Sequence, residues 1–322
     1  MSTPVKLVGF LAAIAAIFGI TLVVGRAVGP VDDAVASERH DDSGVHSESA
    51  DQTQEPTSTG ATDIPGGLMV SQNGYTLALD PQPLAAGTAV PVTFTVTGPD
   101  GAPVTAYDVE HEKRLHFIAV RGDFTGFQHV HPEFDETTGA WSTNLDLTAG
   151  TWRVFADFKA AGAAALTLTD DLFVAGAFDP APLATENRTA TVGDYEVTLH
   201  GDLEPGKDAK LTLSIARNGT AVTDLDPYLG AYGHLVALRG GDLAYLHVHP
   251  DGTPGDGSTQ PGPDVVFYAA VPSTGTYHLY LDFQHGGEVH TAAFTVTAVG
   301  PDSVGNSAAG SSAAHSDAHT GD

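Results

Sequence analysis

Three histidines recur in this sequence at one fixed spacing, and imidazole is a ligand that suits divalent transition metals. The two sets, at a constant offset of 118 positions, are His116, His129 and His131, and then His234, His247 and His249. Residues two apart in a β-strand point to the same side, so each His-x-His pair presents both rings to one face. The third histidine lies far enough upstream to reach that face from a neighbouring strand. Each set therefore predicts a site for copper(II) or zinc.

An aspartate follows each set on a later strand, Asp157 in the first copy and Asp282 in the second. Such a carboxylate is either a fourth ligand or an acceptor that fixes the tautomer of a ligating imidazole. The alternative is structural, because a histidine on a strand is usually half-buried and hydrogen-bonded to the main chain. Retention of all six histidines while their neighbours have drifted favours the metal interpretation.

The composition excludes several other kinds of chemistry. The chain has no Cys and only two Met, so disulfides, zinc-thiolate sites and iron-sulfur clusters are excluded. It has 13 Lys plus Arg against 40 Asp plus Glu, a formal charge of -27. Nucleic acid is therefore not an expected partner, because neutralising phosphates requires clustered basic residues. The 15 His are the plentiful nitrogen ligands that remain.

The histidine sets belong to a longer internal duplication, which decides the expected fold. Gly150-Thr151-Trp152 and the strand after it match Gly275-Thr276-Tyr277 and its strand. Both copies alternate apolar and polar residues over short segments with turn residues between them, a pattern typical of antiparallel strands. We predict an all-β protein with two tandem β-sandwiches, immunoglobulin-like or cupredoxin-like, after an N-terminal transmembrane helix. The predicted segments are an anchor (1–30), an acidic linker (31–64), sandwich 1 (65–178), a short linker (179–189), sandwich 2 (190–299) and a disordered tail (300–322).

Residues 7–25 carry no charge and approach the length that crosses a bilayer. Lys6 favours an N-terminus inside the cell, so we expect a single-pass membrane protein whose bulk lies outside the cytoplasm. A cleaved signal peptide, giving a secreted protein, is the alternative, because Ala34-Val35-Ala36 has the form of a cleavage site.

One block of the first copy is distinctive; it comprises residues 111–116, Asp123-Phe124, residues 126–132 and residues 152–158. This block resembles a family of bacterial secreted or membrane-anchored β-sandwich proteins related to YtkA-like domains. The resemblance covers residues 67–177 and, in weaker form, residues 190–298. It implies a metal-associated envelope protein, with heavy-metal binding or copper handling as the activity usually connected with the family. The second copy lacks His111, Lys113 and Gln128, so equal function of the two copies is not expected.

These patterns together predict a binding protein and not an enzyme, whose partner is a metal ion and whose candidate protein partners are other metal-handling proteins of the envelope. One alternative is an adhesion or assembly module in which the histidines are structural. A second alternative is a cupin-like metalloenzyme, since cupins also place His-x-His on a β scaffold. Glu136 follows His131 at a tolerable distance for a cupin, but the second copy has no Glu there and no recognisable general base is present.

Overall fold

The computed structural model describes residues 64–80 and 83–300, and every regular element in that part of the chain is a β-strand. For these residues the prediction of an all-β fold built from β-sandwiches is confirmed. Among these described residues no helix is long and apolar enough to span a bilayer. The predicted anchor at residues 7–25, most of the linker and the tail lie outside them.

Ten strands form the first module. They are β1 (Ser71–Gln72), β2 (Tyr75–Leu79), β3 (Leu84–Ala85), β4 (Gly87–Thr97), β5 (Leu115–Arg121), β6 (Gln128–Val130), β7 (Glu133–Asp135), β8 (Ala140–Leu147), β9 (Gly150–Phe158) and β10 (Leu166–Ala175). One sheet has the order β1-β2-β4-β8-β7, and the other has the order β3-β10-β9-β5-β6. Among the strands that the structure describes in this module, only the short β3–β10 pairing is parallel.

Nine strands form the second module. They are β11 (Thr189–Val192), β12 (Tyr195–His200), β13 (Asp208–Arg217), β14 (Thr220–Ala221), β15 (His234–Arg239), β16 (Val248–Pro250), β17 (Asp264–Ala270), β18 (Gly275–His285) and β19 (Glu288–Ala298). One sheet has the order β11-β12-β13-β17-β16 with β14 added to β13, and the other has the order β15-β18-β19. Both modules belong to one compact unit.

The central parts of strands β5, β9, β15 and β18 are buried on both faces, and β5 and β15 accordingly have nearly continuous apolar sequences. On β9, Trp152, Val154, Ala156 and Phe158 face the core of their own module, as the alternation predicts. The opposite face of the same strand carries Phe155, which belongs to a third apolar cluster. A sandwich exposed to water on its outer faces would not need this second apolar face.

The third cluster lies between the two modules and joins them face to face. Its buried members are Ile118, Val120 and Phe155 from the first module and Val236, Leu238 and Tyr280 from the second. Two pairs of aromatic rings flank it: Phe127 stacks on Tyr280 with centroids 4.0 Å apart, and Phe155 lies 5.6 Å from Tyr245. The Tyr280 hydroxyl also donates a hydrogen bond to the carbonyl of Phe124 at 2.8 Å. We call this contact between the modules the junction.

One short strand follows different paths in the two modules. In the first, β6 pairs with β5, and Ile118 lies opposite His129. In the second, the segment that returns after β15 stays hydrogen-bonded to β15 as far as Leu246, and β16 then pairs with β17 in the other sheet. The His-x-His pairs of the two copies therefore occupy equivalent positions in the sequence but lie on different sheets.

Candidate metal centre at the junction

Three imidazoles of the first module converge on one point at the edge of the junction. His116 lies on β5, His129 lies on β6, and His131 directly follows β6. The Nδ1 atom of His116 is 3.0 Å from Nε2 of His129 and 3.3 Å from Nε2 of His131. One nitrogen of each ring lies within 4.8 Å of the others. We call these three residues the triad. It forms because the β5–β6 pairing places the rings of His129 and His131 over the ring of His116.

The turn before β6 requires a glycine, and this turn sets the direction of the strand that carries His129. Gly126 has a φ of +67°, and a Cβ atom there would lie 2.5 Å from the ring of Trp152. Trp152 is buried and donates a hydrogen bond to the carbonyl of Thr148 at 2.8 Å, so it cannot easily move away. The position equivalent to Gly126 in the second module is Ala244.

Acceptors on the far sides of two triad rings fix their tautomers. The Nε2–H of His116 donates to the carbonyl oxygen of Glu110 at 3.2 Å, and the Nδ1–H of His129 donates to a carboxylate oxygen of Asp282 at 2.9 Å. In the neutral rings, the nitrogens that face each other at 3.0 Å are then both lone-pair acceptors. Two acceptors at this distance need a cation between them, either a proton or a metal ion.

The second module supplies part of this site, although it does so with an aspartate and one histidine only. The side chains of His129 and Asp282 are 1% and 3% exposed, so the hydrogen bond between them is fully enclosed. Thr291 donates a further hydrogen bond to the other oxygen of Asp282 at 2.5 Å. The ring of His234 stacks on that of His116, with centroids 5.3 Å apart and an interplanar angle of 10°.

Burial holds two of the triad rings, His116 and His131, in the neutral form that metal binding requires. Desolvation, followed by the positive field of His129, lowers the pKa of His116 to about 3. The same two causes lower the pKa of His131 to about 4. The pKa of His234 is also lowered well below its usual value, mainly by burial. At neutral pH these rings are therefore uncharged.

The predicted ligands divide into those that meet and those that do not. His116, His129 and His131 meet as predicted, and Asp282 accepts a hydrogen bond from one of these imidazoles, a ring of the other module. Asp157 instead accepts a hydrogen bond from Thr167 at 2.9 Å, and burial raises its pKa. Here the structure departs from the expectation of a second, equivalent site. Among the described residues, His234, His247 and His249 form no metal-sized group, because the pair on or near β16 is exposed on the other sheet.

Sequence reasoning missed two features of the centre. The carbonyl of Glu110 is a backbone group and leaves no mark in a side-chain pattern. The contribution of the second module to the triad was also missed, because each copy was treated as complete. The nearly continuous apolar character of β5 and β15 was a signal that both strands are covered on their outer faces.

No curated protein matches this chain at a significant level. Solved structures that it resembles include the Escherichia coli adhesin FdeC, at 17% identity and a TM-score of 0.23, over 74% of this chain and 66% of that one. Another is Yersinia pseudotuberculosis InvD, at 16% identity and a TM-score of 0.24, over 71% of this chain and 58% of that one. At these identities and TM-scores the resemblances carry no argument about function. A family model matches the chain twice, at residues 70–169 and 190–300, which agrees with the duplication and covers more than half of the chain. The chain therefore belongs to the family described as a domain of unknown function, DUF8832.

Proposed function

We propose that this protein binds a divalent transition metal ion, copper(II) or zinc, at the triad. The observation that carries the proposal is the pair of imidazole nitrogens that face each other at 3.0 Å while their far sides donate to Glu110 and Asp282. Metal-ligating histidines usually donate their second N–H to a carboxylate or a backbone carbonyl, and both arrangements are present here. Tetrahedral bonds of 2.0–2.1 Å separate ligand nitrogens by about 3.3 Å. The measured separations of 3.0 and 3.3 Å are close to that value.

The charge of the chain supports a cation as the ligand. A formal charge of -27 raises the local concentration of cations around the protein. Protons compete weakly at the two ring nitrogens with lowered pKa values, so the ligands are available over the whole neutral range. Three imidazoles leave one coordination position open, which suits sequestering an ion and passing it on.

The proposed setting is outside the cytoplasm, with residues 7–25 as a single-pass anchor and a secreted form as the alternative. The same proposal has three further parts. The chain is related to the YtkA-like envelope proteins, and its sandwiches are immunoglobulin-like or cupredoxin-like. Its protein partners are other metal-handling proteins of the envelope. The proposal describes a binding protein, and we assign no catalytic residue; the cupin-like metalloenzyme stays an alternative from the sequence.

A second candidate function is an adhesion or assembly module in which the histidines are structural. One observation favours it: the enclosed His129–Asp282 pair ties the two modules together without any metal. In that case a proton, and not a metal ion, lies between His116 and His129. Both candidates use the same contacts and differ only in the cation that occupies the gap.

Calorimetric titration of the full chain, purified without an affinity tag, separates the two candidates. Zinc and copper(II) are titrated into the parent protein, into a His129→Ala/His131→Ala variant and into a His249→Ala control, whose histidine is exposed on β16. We expect one tight ion to be lost in the double variant, by 100-fold or more in affinity, and kept in the control. Tight binding that is equal in all three proteins would refute the metal proposal and favour the structural role.

A further inference from the structure

The junction has approximate two-fold symmetry, and its axis passes between two equivalent histidines. His116 of β5 and His234 of β15 stack with an interplanar angle of 10°. Each lies directly opposite the aspartate of its own module in the strand register: His116 opposite Asp157, and His234 opposite Asp282. A site on one side of this axis therefore has a geometric counterpart on the other side.

The two sides contain equivalent residues and contacts, except at one histidine. Thr291 donates to Asp282, and Thr167 donates to Asp157, from equivalent positions on the neighbouring strands. On the first side, His129 of the other module completes the arrangement by donating to Asp282. The equivalent of His129 is His247, and the symmetry would bring it to Asp157.

In the part of the chain that the structure describes, His247 makes no hydrogen bond to Asp157, and both line a cavity of about 340 Å³. Other side chains with nitrogen or oxygen atoms that line the cavity are His111, His116, His234, Glu110, Tyr245, Gln72 and Thr167. They come from both modules, and imidazole with carboxylate is a donor set that suits divalent transition metals. Two basic side chains, Lys113 and Arg114, also line this cavity, and Arg114 pairs with Glu136 at 2.9 Å. Glu110 pairs with Lys159 at 3.0 Å, so its carboxylate is already engaged.

We propose that this cavity is a second, weaker site for the same cation, held by Asp157 and His247 with support from His111, His234 and water. The inference rests on the proposed function, because it takes the identity of the ion from the triad. Water must complete the coordination, since no second group of three or more His, Asp or Glu ligand atoms lies within 4.8 Å of one another among the described residues. His116 borders both the cavity and the triad, so an ion in the cavity is one ring away from the buried site.

The test is the zinc stoichiometry of the full chain in a background where the four histidines of the terminal segments, His40, His46, His315 and His319, are replaced by Ala. We expect two ions per chain, one tight and one at least tenfold weaker. Asp157→Asn with His247→Ala should remove the weaker ion and keep the tight one. His129→Ala with His131→Ala should do the reverse, and His249→Ala is the matched control for an exposed histidine.

A stoichiometry of one that the Asp157→Asn/His247→Ala variant leaves unchanged would overturn this second site and leave the triad proposal standing. Two ions in every variant, with unchanged affinities, would overturn both proposals. Loss of the weaker ion with retention of the tight ion would establish the second site by itself. Near-UV circular dichroism of Trp141 and Trp152, both buried, checks the fold of each variant. Should the double variant misfold, the single His247→Gln variant replaces it, because His247 is exposed.

Discussion

The two modules carry the same three histidines at the same spacing, yet the triad forms only in the first. In that module β6 remains paired with β5, and the register of Ile118 with His129 keeps both rings of the pair above the β5–β9 surface. In the second module, β16 pairs with β17, and His249 lies opposite Tyr268 in the other sheet. One short strand that changes sheets is enough to separate three residues whose sequence spacing is unchanged.

This difference shows how a duplication can produce one composite site. The second module keeps His234 and Asp282 on strands β15 and β18, which do not change sheets, and both contribute to the triad of the first module. Its β16 region has changed its pairing, and His247 and His249 are exposed there. The two modules also differ in the turn before this strand, where the first has Gly126 and the second has Ala244 at the equivalent position.

The largest expected effect concerns the apolar face that both modules share. Phe155 is fully buried in the junction, and Tyr280 is its counterpart. Phe155→Ala should lower the free energy of unfolding by about 3–5 kcal/mol, because it leaves a cavity between packed sheets. Tyr280→Ala should lower the free energy of unfolding by a similar amount if the two modules contribute equally to the junction.

Urea unfolding, followed by tryptophan fluorescence, measures both changes. The control is Leu183→Ala, whose side chain is 75% exposed and which should change stability by less than about 0.5 kcal/mol. Losses at Phe155 and Tyr280 as small as that of the control would show that the junction does not hold the modules together.

A smaller effect separates the two equivalent aspartates. Asp282→Asn should weaken zinc binding at the triad by about 10–100-fold, because it removes the charged acceptor that orients His129. Asp157→Asn should weaken the same tight site much less, because no hydrogen bond joins Asp157 to a triad ring among the described residues. Competition with a zinc chelator measures both affinities. Equal losses would contradict the assignment of Asp282 as the specific partner of the triad.

A further effect is the pH dependence of the metal-free protein. The pKa of His116 is about 3 in the folded state, against about 6.5 in an unfolded chain. Between about pH 6 and pH 4 the unfolded state therefore binds a proton that the folded state does not, and stability falls as the pH falls. The slope due to this one buried group is about 1.4 kcal/mol per pH unit.

Urea unfolding at pH 6, 5 and 4 in the presence of a chelator measures that slope. His116→Gln should reduce the slope by about 1.4 kcal/mol per pH unit, the contribution of one proton, whether or not it also changes the free energy of unfolding at neutral pH. His249→Gln is the control, because His249 is an exposed histidine of the second module. An unchanged slope in His116→Gln would mean that this ring takes up its proton in the folded state, which contradicts its burial.

Part of the centre was predictable because short-range patterns report it directly. The alternation around Trp152 identified the faces of β9, and the His-x-His spacing placed His129 and His131 on one side of their strand. The strand that brings His116 to them was also predictable, since a turn at Arg121-Gly122-Asp123 returns the chain, and Arg121 closes that turn by pairing with Asp123 at 2.7 Å. The same reasoning failed for His247 and His249, because identical spacing does not report which sheet a three-residue strand joins.

The sequence by itself determined the class of protein: an all-β chain, duplicated, free of cysteine and strongly acidic, with imidazole as its plentiful nitrogen ligand. These properties depend on composition and on patterns a few residues long, which local chain geometry translates directly into strands and faces. Only the tertiary structure decided that one triad forms, that Asp282 of the second module orients it, and that a cavity lies at the equivalent position. The reason is physical: the His129–Asp282 contact joins residues 153 positions apart, and the packing of two sandwiches, rather than any local pattern, brings such groups together.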